Sequence, residues 1–129
     1  MKEYLCAILA TVSYLFIYLL GGWDVALQCL LLAIVIDYIS GMIKAYRIRT
    51  LSSKIGFQGI LKKVGMLLIV MLGVLVDRVT GNTGAVRTLV IYYFVANEGL
   101  SVIENLGQCG VPIPASIKKA LKALNKESK

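Results

Sequence analysis

The chain contains no histidine, and its three cysteines, Cys6, Cys29 and Cys109, are too scattered to frame a metal site. Zinc hydrolysis and histidine-based nucleophilic catalysis therefore have no candidate residues, and no catalytic site, metal or cofactor is expected. Proline is nearly absent. Both copies, Pro112 and Pro114, fall in one short stretch, which leaves the rest of the chain free of the residue that breaks helices. Charge is scarce at 16% of residues, while 58% are apolar and the mean hydropathy is +0.79. A soluble domain of 14.1 kDa would need more charge to cover its surface. Acidic groups are the rarest, 7 against 14 Lys and Arg, for a formal charge of +7. That excess suits nucleic acid in principle, but the basic residues lie at the ends of apolar runs and in the tail, not in a stripe among stacking aromatics. No nucleic-acid partner is expected.

What the sequence does have is four apolar runs, at 4–20, 25–43, 61–79 and 88–106. About 20 helical residues at ~1.5 Å each cross the ~30 Å hydrocarbon core, and only helices or closed barrels satisfy their own backbone groups there. Continuous runs without period-two alternation favour helices. The expected fold is an all-α integral membrane protein, one domain of four transmembrane helices in the lipid bilayer.

Orientation follows from the basic residues. Lys2, the stretch holding Lys44, Arg47, Arg49, Lys54, Lys62 and Lys63, and the tail at 107–129 with Lys118, Lys119, Lys122, Lys126 and Lys129 fall on one side. Only Arg78 and Arg87 fall on the other. The positive-inside rule makes the rich side cytoplasmic, so both termini are expected inside the cytoplasmic membrane. The first run is read as a spanning helix and not a cleaved signal, since Gly21, Gly22 and Trp23 do not resemble a small-x-small cleavage site. The short connection at 21–24 predicts that the first two helices are antiparallel neighbours in a helical hairpin. Cys6 and Cys29 then sit near opposite membrane faces, and no disulfide is expected.

Between the second and third runs and into the start of the third, Ser52, Ser53, Lys54, Gly56, Gly59, Lys62 and Lys63 form a basic cytoplasmic loop motif with capping and turn residues that admit a short helix. After the fourth run, the stretch from Gly110 to Pro114 stops the helix. Ile117, Ala120, Leu121 and Leu124 then recur at helical spacing opposite Lys118, Lys119 and Lys122. This short amphipathic helix either lies on an anionic membrane surface or is a solvated tail that fixes topology.

Charges inside the runs are the best site candidates, because a carboxylate within a membrane helix costs roughly 2.5–3.5 kcal/mol unless it finds a partner or water. They are Asp37, Glu98 and Glu104. All three fall in the cytoplasmic half, where Lys62 and Lys63 are the expected partners of the two glutamates. Asp37, Gly41, Lys44 and Ala45 share one helix face, with Gly41 and Ala45 small enough to admit another backbone. Asn97, Glu98, Ser101, Glu104 and Asn105 fall within about 120° of arc on the fourth helix. On the third, Gly65, Ile69, Gly73 and Asp77 are spaced by four, which makes Gly65 and Gly73 helix-contact candidates and puts Asp77 at the outer interface. Such stripes join helices within one monomer, join copies in a homo-oligomer or line a pore, or carry a proton or cation relay.

The same residues resemble a known family: the toxin-secretion and phage-lysis holins, small membrane proteins from phages of Gram-positive bacteria and from related toxin loci. The resemblance rests on Asp37, Tyr38, Gly41 and Lys44; on Leu51, Ser52, Ser53, Lys54, Gly56, Gly59, Lys62 and Lys63; on Asn97, Glu98, Leu100, Ser101, Glu104 and Asn105; and on the run from Gly110 to Pro114. It spans nearly the whole chain. The resemblance implies a phage holin that oligomerises in the host's cytoplasmic membrane and opens lesions at a set time, allowing an endolysin to lyse the cell without required direct contact. A toxin-export relative, an antiholin and a small ion-coupled channel or transporter are the alternatives.

Overall fold

The computed structural model describes residues 1–81 and 83–127, and every regular element among them is a helix: α1 (Lys2–Leu19), α2 (Val25–Arg47), α3 (Ser53–Thr80), α4 (Ala85–Gln108) and α5 (Ala115–Glu127). The first four are long and apolar enough to cross a membrane, as a multi-pass protein requires. Several boundaries have a chemical cause. Asp24 caps α2 by accepting from Leu27 N at 3.0 Å, and Ser52 caps α3 by accepting from Ile55 N at 3.2 Å. Gly81 ends α3 in the left-handed conformation, φ 68°, which glycine adopts without strain. At the far end, Arg47 donates to the Cys109 carbonyl at 2.8 Å, tying the C-terminal end of α2 to that of α4.

Helix α4 is the centre of the bundle, packing on α2, α3 and α5, whereas α2 and α3 touch over a much smaller surface. The groups packed along it form three layers, all buried or half-buried except Asp24, which is exposed. An outer layer holds Asp24, Asp77 and Arg87; a middle layer is apolar, with Leu20, Leu27, Leu30, Met66, Val70, Ile91 and Phe94; an inner layer is polar again, with Asp37, Ser40, Lys63, Glu98 and Asn105. Tight approach in the outer part depends on Gly73, where a Cβ would lie 3.4 Å from Arg87 Cα.

Two expectations are corrected. The first concerns the hairpin: α1 is joined to α2 by a short turn but does not pack along it. No residue of α1 is buried, and no face of it lies lengthwise on another helix. The cause is in the turn and in α2. Gly21 and Gly22 take φ of 90° and 115°, and the inner face of α2 is already occupied by α4. What holds α1 is its C-terminal end, where Leu20 is buried in the core and Arg78 donates to Tyr18 O at 2.8 Å with its guanidinium 4.1 Å from the Tyr18 ring centroid. The second concerns the basic loop. Ser52 is a cap, but Ser53, Lys54, Gly56, Gly59, Lys62 and Lys63 all lie on α3, which runs unbroken for 28 residues. At ~1.5 Å per residue this helix is ~42 Å long and outreaches the hydrocarbon core. Gly56 and Gly59 are tolerated there because Tyr38 fills the space beside them, its hydroxyl 3.3 Å from where a Cβ of Gly56 would stand.

Candidate functional site

Three transmembrane helices meet at Lys63. Its ammonium bridges Asp37 on α2 and Glu98 on α4, donating to one carboxylate oxygen of each. Asn105, about two turns further along α4, donates from Nδ2 to Asp37 Oδ1 at 3.2 Å and to Ser40 Oγ at 3.0 Å, while Ser40 Oγ donates to the Asp37 carbonyl at 3.0 Å. Glu98 is almost wholly enclosed, at 2% side-chain exposure, and Lys63 and Asp37 are at 12%. Burial at that level would be costly for any of these charges alone, so the pairing is a condition of their being in the membrane at all. The cluster holds two carboxylates and one ammonium. The Asn105 amide on its other side serves Asp37 Oδ1, the carboxylate oxygen that Lys63 leaves unpaired. An open pocket of about 220 Å³ adjoins it, lined in part by Tyr38, Gly41, Lys62, Lys63, Ser101 and Asn105.

Of the sequence candidates, Asp37, Lys63, Glu98 and Asn105 are therefore brought together, with Gly41 against Asn105 Nδ2 at 3.7 Å from a built Cβ and Ala45 buried nearby on the same face. Lys44 is half-buried on that face. The polar stripe of α4 is split: Glu98 and Asn105 point inward, Asn97 and Ser101 are half-buried, and Glu104 is exposed. The expected pairing of Glu104 with Lys62 or Lys63 is not made among the described residues. Glu104 lies at the rim of the arc, turned from α3, and Lys63 is taken by the other two carboxylates. Lys62 is exposed at the mouth of the pocket. Gly73 is at a helix contact, whereas a Cβ at Gly65 would meet no other group within 4 Å. Lys129 lies outside the described residues, as do the side chains of Leu124 and Lys126.

Sequence reasoning missed a second polar cluster, at the outer end. Arg87, nearly buried, donates from Nε to Leu20 O at 2.6 Å, from Nη2 to Gly22 O at 3.2 Å, and in a two-pronged pair to Asp24 Oδ2 and Oδ1 at 2.7 and 3.0 Å. One side chain of α4 thus holds the whole turn between α1 and α2. The Arg87 guanidinium keeps the Asp24 carboxyl below the usual carboxylate range. Asp77, expected simply at the outer interface, is buried and accepts from Val86 N and Arg87 N at 3.0 and 2.9 Å. It caps the N-terminus of α4, whose own cap residue is Gly84 and has no side chain to do so. The signal was available: the outer ends of the runs carry two acids, Asp24 and Asp77, and two arginines. Ser40, three residues after Asp37 in an apolar run, was a weaker one.

Comparison with known proteins agrees with this membrane architecture. A 14.9 kDa protein in the nagH 3' region of Clostridium perfringens, itself uncharacterized, is 42% identical, the alignment covering 91% of this chain and 89% of the relative. An uncharacterized Bacillus subtilis protein, YqxH, is 36% identical over 86% of this chain and 79% of its own. A protein of Bacillus phage phi105 described as a probable holin is 33% identical, covering 79% of this chain and 76% of that one. No solved structure matches. The model of the bacteriophage holin family aligns with residues 14–126, from the end of α1 through α5 and so across both polar layers, and the chain belongs to that family.

Proposed function

We propose that the chain is a lysis holin: it accumulates in the host's cytoplasmic membrane with both termini inside, self-associates, and opens lesions through which an endolysin reaches the cell wall. Membership in a holin family and likeness to a phage protein described as a probable holin support the biological role. The observation that carries the mechanism is the Lys63 node. In a single protomer its charges are paired and enclosed, which makes an isolated copy compatible with an intact bilayer. Beside it, Asn97, Ser101 and Glu104 remain partly or fully uncovered on α4. Polar groups facing lipid favour contact with another copy or with water, because hydrocarbon offers them no hydrogen bond. Crowding many copies brings these flanks together. Asp37, Gly41, Lys44 and Ala45 on α2 and Glu98 and Asn105 on α4 then exchange contacts within the protomer for contacts between protomers, or turn toward water in a lesion. Nothing in this sequence of events asks for bond chemistry.

Timed expression in bacteria with and without a co-expressed endolysin tests the reading. The expected result is an abrupt stop in growth and lysis that requires the endolysin. Delay of lysis by a second holin would identify an inhibitor instead, export of a toxin from living cells an exporter, and altered ion tolerance without killing a channel or transporter.

A further inference from the structure

After the stop at 110–114 the chain turns back, and α5 packs on α4. The contact centres on Leu121, whose Cδ2 stands 3.0 Å from where a Cβ of Gly99 would be. Gly99 lies nine residues before the end of α4, or ~14 Å at ~1.5 Å per residue. Ala96 and Ile103, both buried, fall within about 60° of arc of Gly99 on the same flank of α4. So α5 is held alongside the C-terminal part of a helix long and apolar enough to cross a membrane. It does not trail into solvent.

Its remaining surface has two characters. Lys118, Lys119 and Lys122 fall within about 100° of arc and are all exposed, lining a shallow concavity with Ala115 and Ala123. Ile117, on the opposite side, is 51% exposed, and Ala120 is exposed as well. There is no acid in the first turn to neutralise the lysines. A helix with uncovered apolar residues on one side and uncovered ammonium groups on the other, tethered beside an apolar spanning helix, suits one environment: acyl chains below and anionic headgroups above.

We propose that α5 is a binding element for anionic phospholipid, seated on α4 through Leu121 and Gly99 and engaging headgroup phosphates with Lys118, Lys119 and Lys122. The seat fixes the depth and direction of the lysines, so their attraction is not diluted by the freedom of a loose tail. A neutral leaflet gives the helix only its apolar contacts. An anionic one holds it closed on α4.

The test is hydrogen exchange at residues 115–123 of the full-length protein in nanodiscs of phosphatidylcholine, or of phosphatidylcholine with 30% phosphatidylglycerol. Each lysine near an anionic surface contributes about five-fold, so the three together should slow exchange on the order of 100-fold in the anionic discs. High salt should remove the effect. Replacing all three, Lys118→Gln, Lys119→Gln and Lys122→Gln, should abolish it, while the three corresponding Lys→Arg changes should keep it. Equal exchange in the two lipids would overturn the proposal, as would a lipid effect undiminished in the Gln variant. Protection of α5 in pure phosphatidylcholine by inorganic phosphate would also overturn it, by showing a soluble-anion site.

Discussion

Replacing Lys63 by Gln should be the most damaging single change at the inner layer, and Glu98→Gln in the same chain should partly repair it. Lys63→Gln leaves Asp37 and Glu98, 12% and 2% exposed, facing each other without a cation. Removing one partner of a buried pair costs about 3–5 kcal/mol. Glu98→Gln alone is different. It gives up one charge-assisted hydrogen bond, about 1.5–3 kcal/mol, but also removes a buried carboxylate that shares its lysine with another. The net should be within about 1 kcal/mol of the unaltered protein. In the double variant Asp37 remains, with Asn105 still donating at 3.2 Å and two neutral amides beside it. Its cost should fall roughly 2 kcal/mol short of the sum of the single changes. Unfolding by sodium dodecyl sulfate in mixed micelles, followed by helical circular dichroism, measures all four corners of the cycle. Lysis onset at matched protein levels gives a second readout. Additivity to within about 0.5 kcal/mol would mean that Lys63 and Glu98 do not interact, and the account of the node would fail.

At the outer layer, Asp24→Asn keeps a good cap for α2 but removes the charge opposite Arg87. Because the Asp24 carboxyl is held below its ordinary value of 3.8, its contribution is complete above that pH and is lost as pH falls through the depressed value. Unfolding free energies should therefore differ between the two proteins at neutral pH, by about 1 kcal/mol given solvent screening, and converge in acid. A constant gap down to pH 2 would contradict this. Gly73→Leu should separate α3 from α4 and cost about 1–3 kcal/mol, whereas Gly65→Leu should leave protomer stability unchanged, both judged by the same micelle unfolding. A reporter active only outside the cytoplasm should be silent when fused after Lys129 and active near Asp24; activity at Lys129 would mean three or five crossings and overturn the proposed topology.

The inner site was legible to the extent that polarity in an apolar run is conspicuous. Asp37 and Glu98 stand out because lipid offers them nothing, and a basic partner had to be near. Which lysine it is depends on the rotation of α3 about its own axis, and Lys62 and Lys63 differ by 100° in that respect. The reach of α3 down to Ser53 was hidden by composition. Two glycines and several polar residues look like a loop, and only their packing against Tyr38 shows why they are helical. The packing of α1 was misread for another reason: a short turn fixes which ends meet, not which faces do. Nor does linear spacing reveal that Leu121 meets Gly99, since that contact depends on the path of 110–114.

The order in which the helices are made gives the Lys63 node a consequence for biosynthesis. Asp37 is synthesised 26 residues before Lys63, and Lys63 another 35 before Glu98. At about 5–20 residues per second, α2 and α3 wait on the order of 2–7 s for the helix that joins them. During that interval their mutual contact is slight, since most of the interface each makes is with α4. A nascent chain stalled between residues 63 and 85 carries Asp37 and Lys63 but neither Glu98 nor any of α4. In such a fragment α2 and α3 are held to each other only by their small mutual contact, so the bundle closes when α4 is in place.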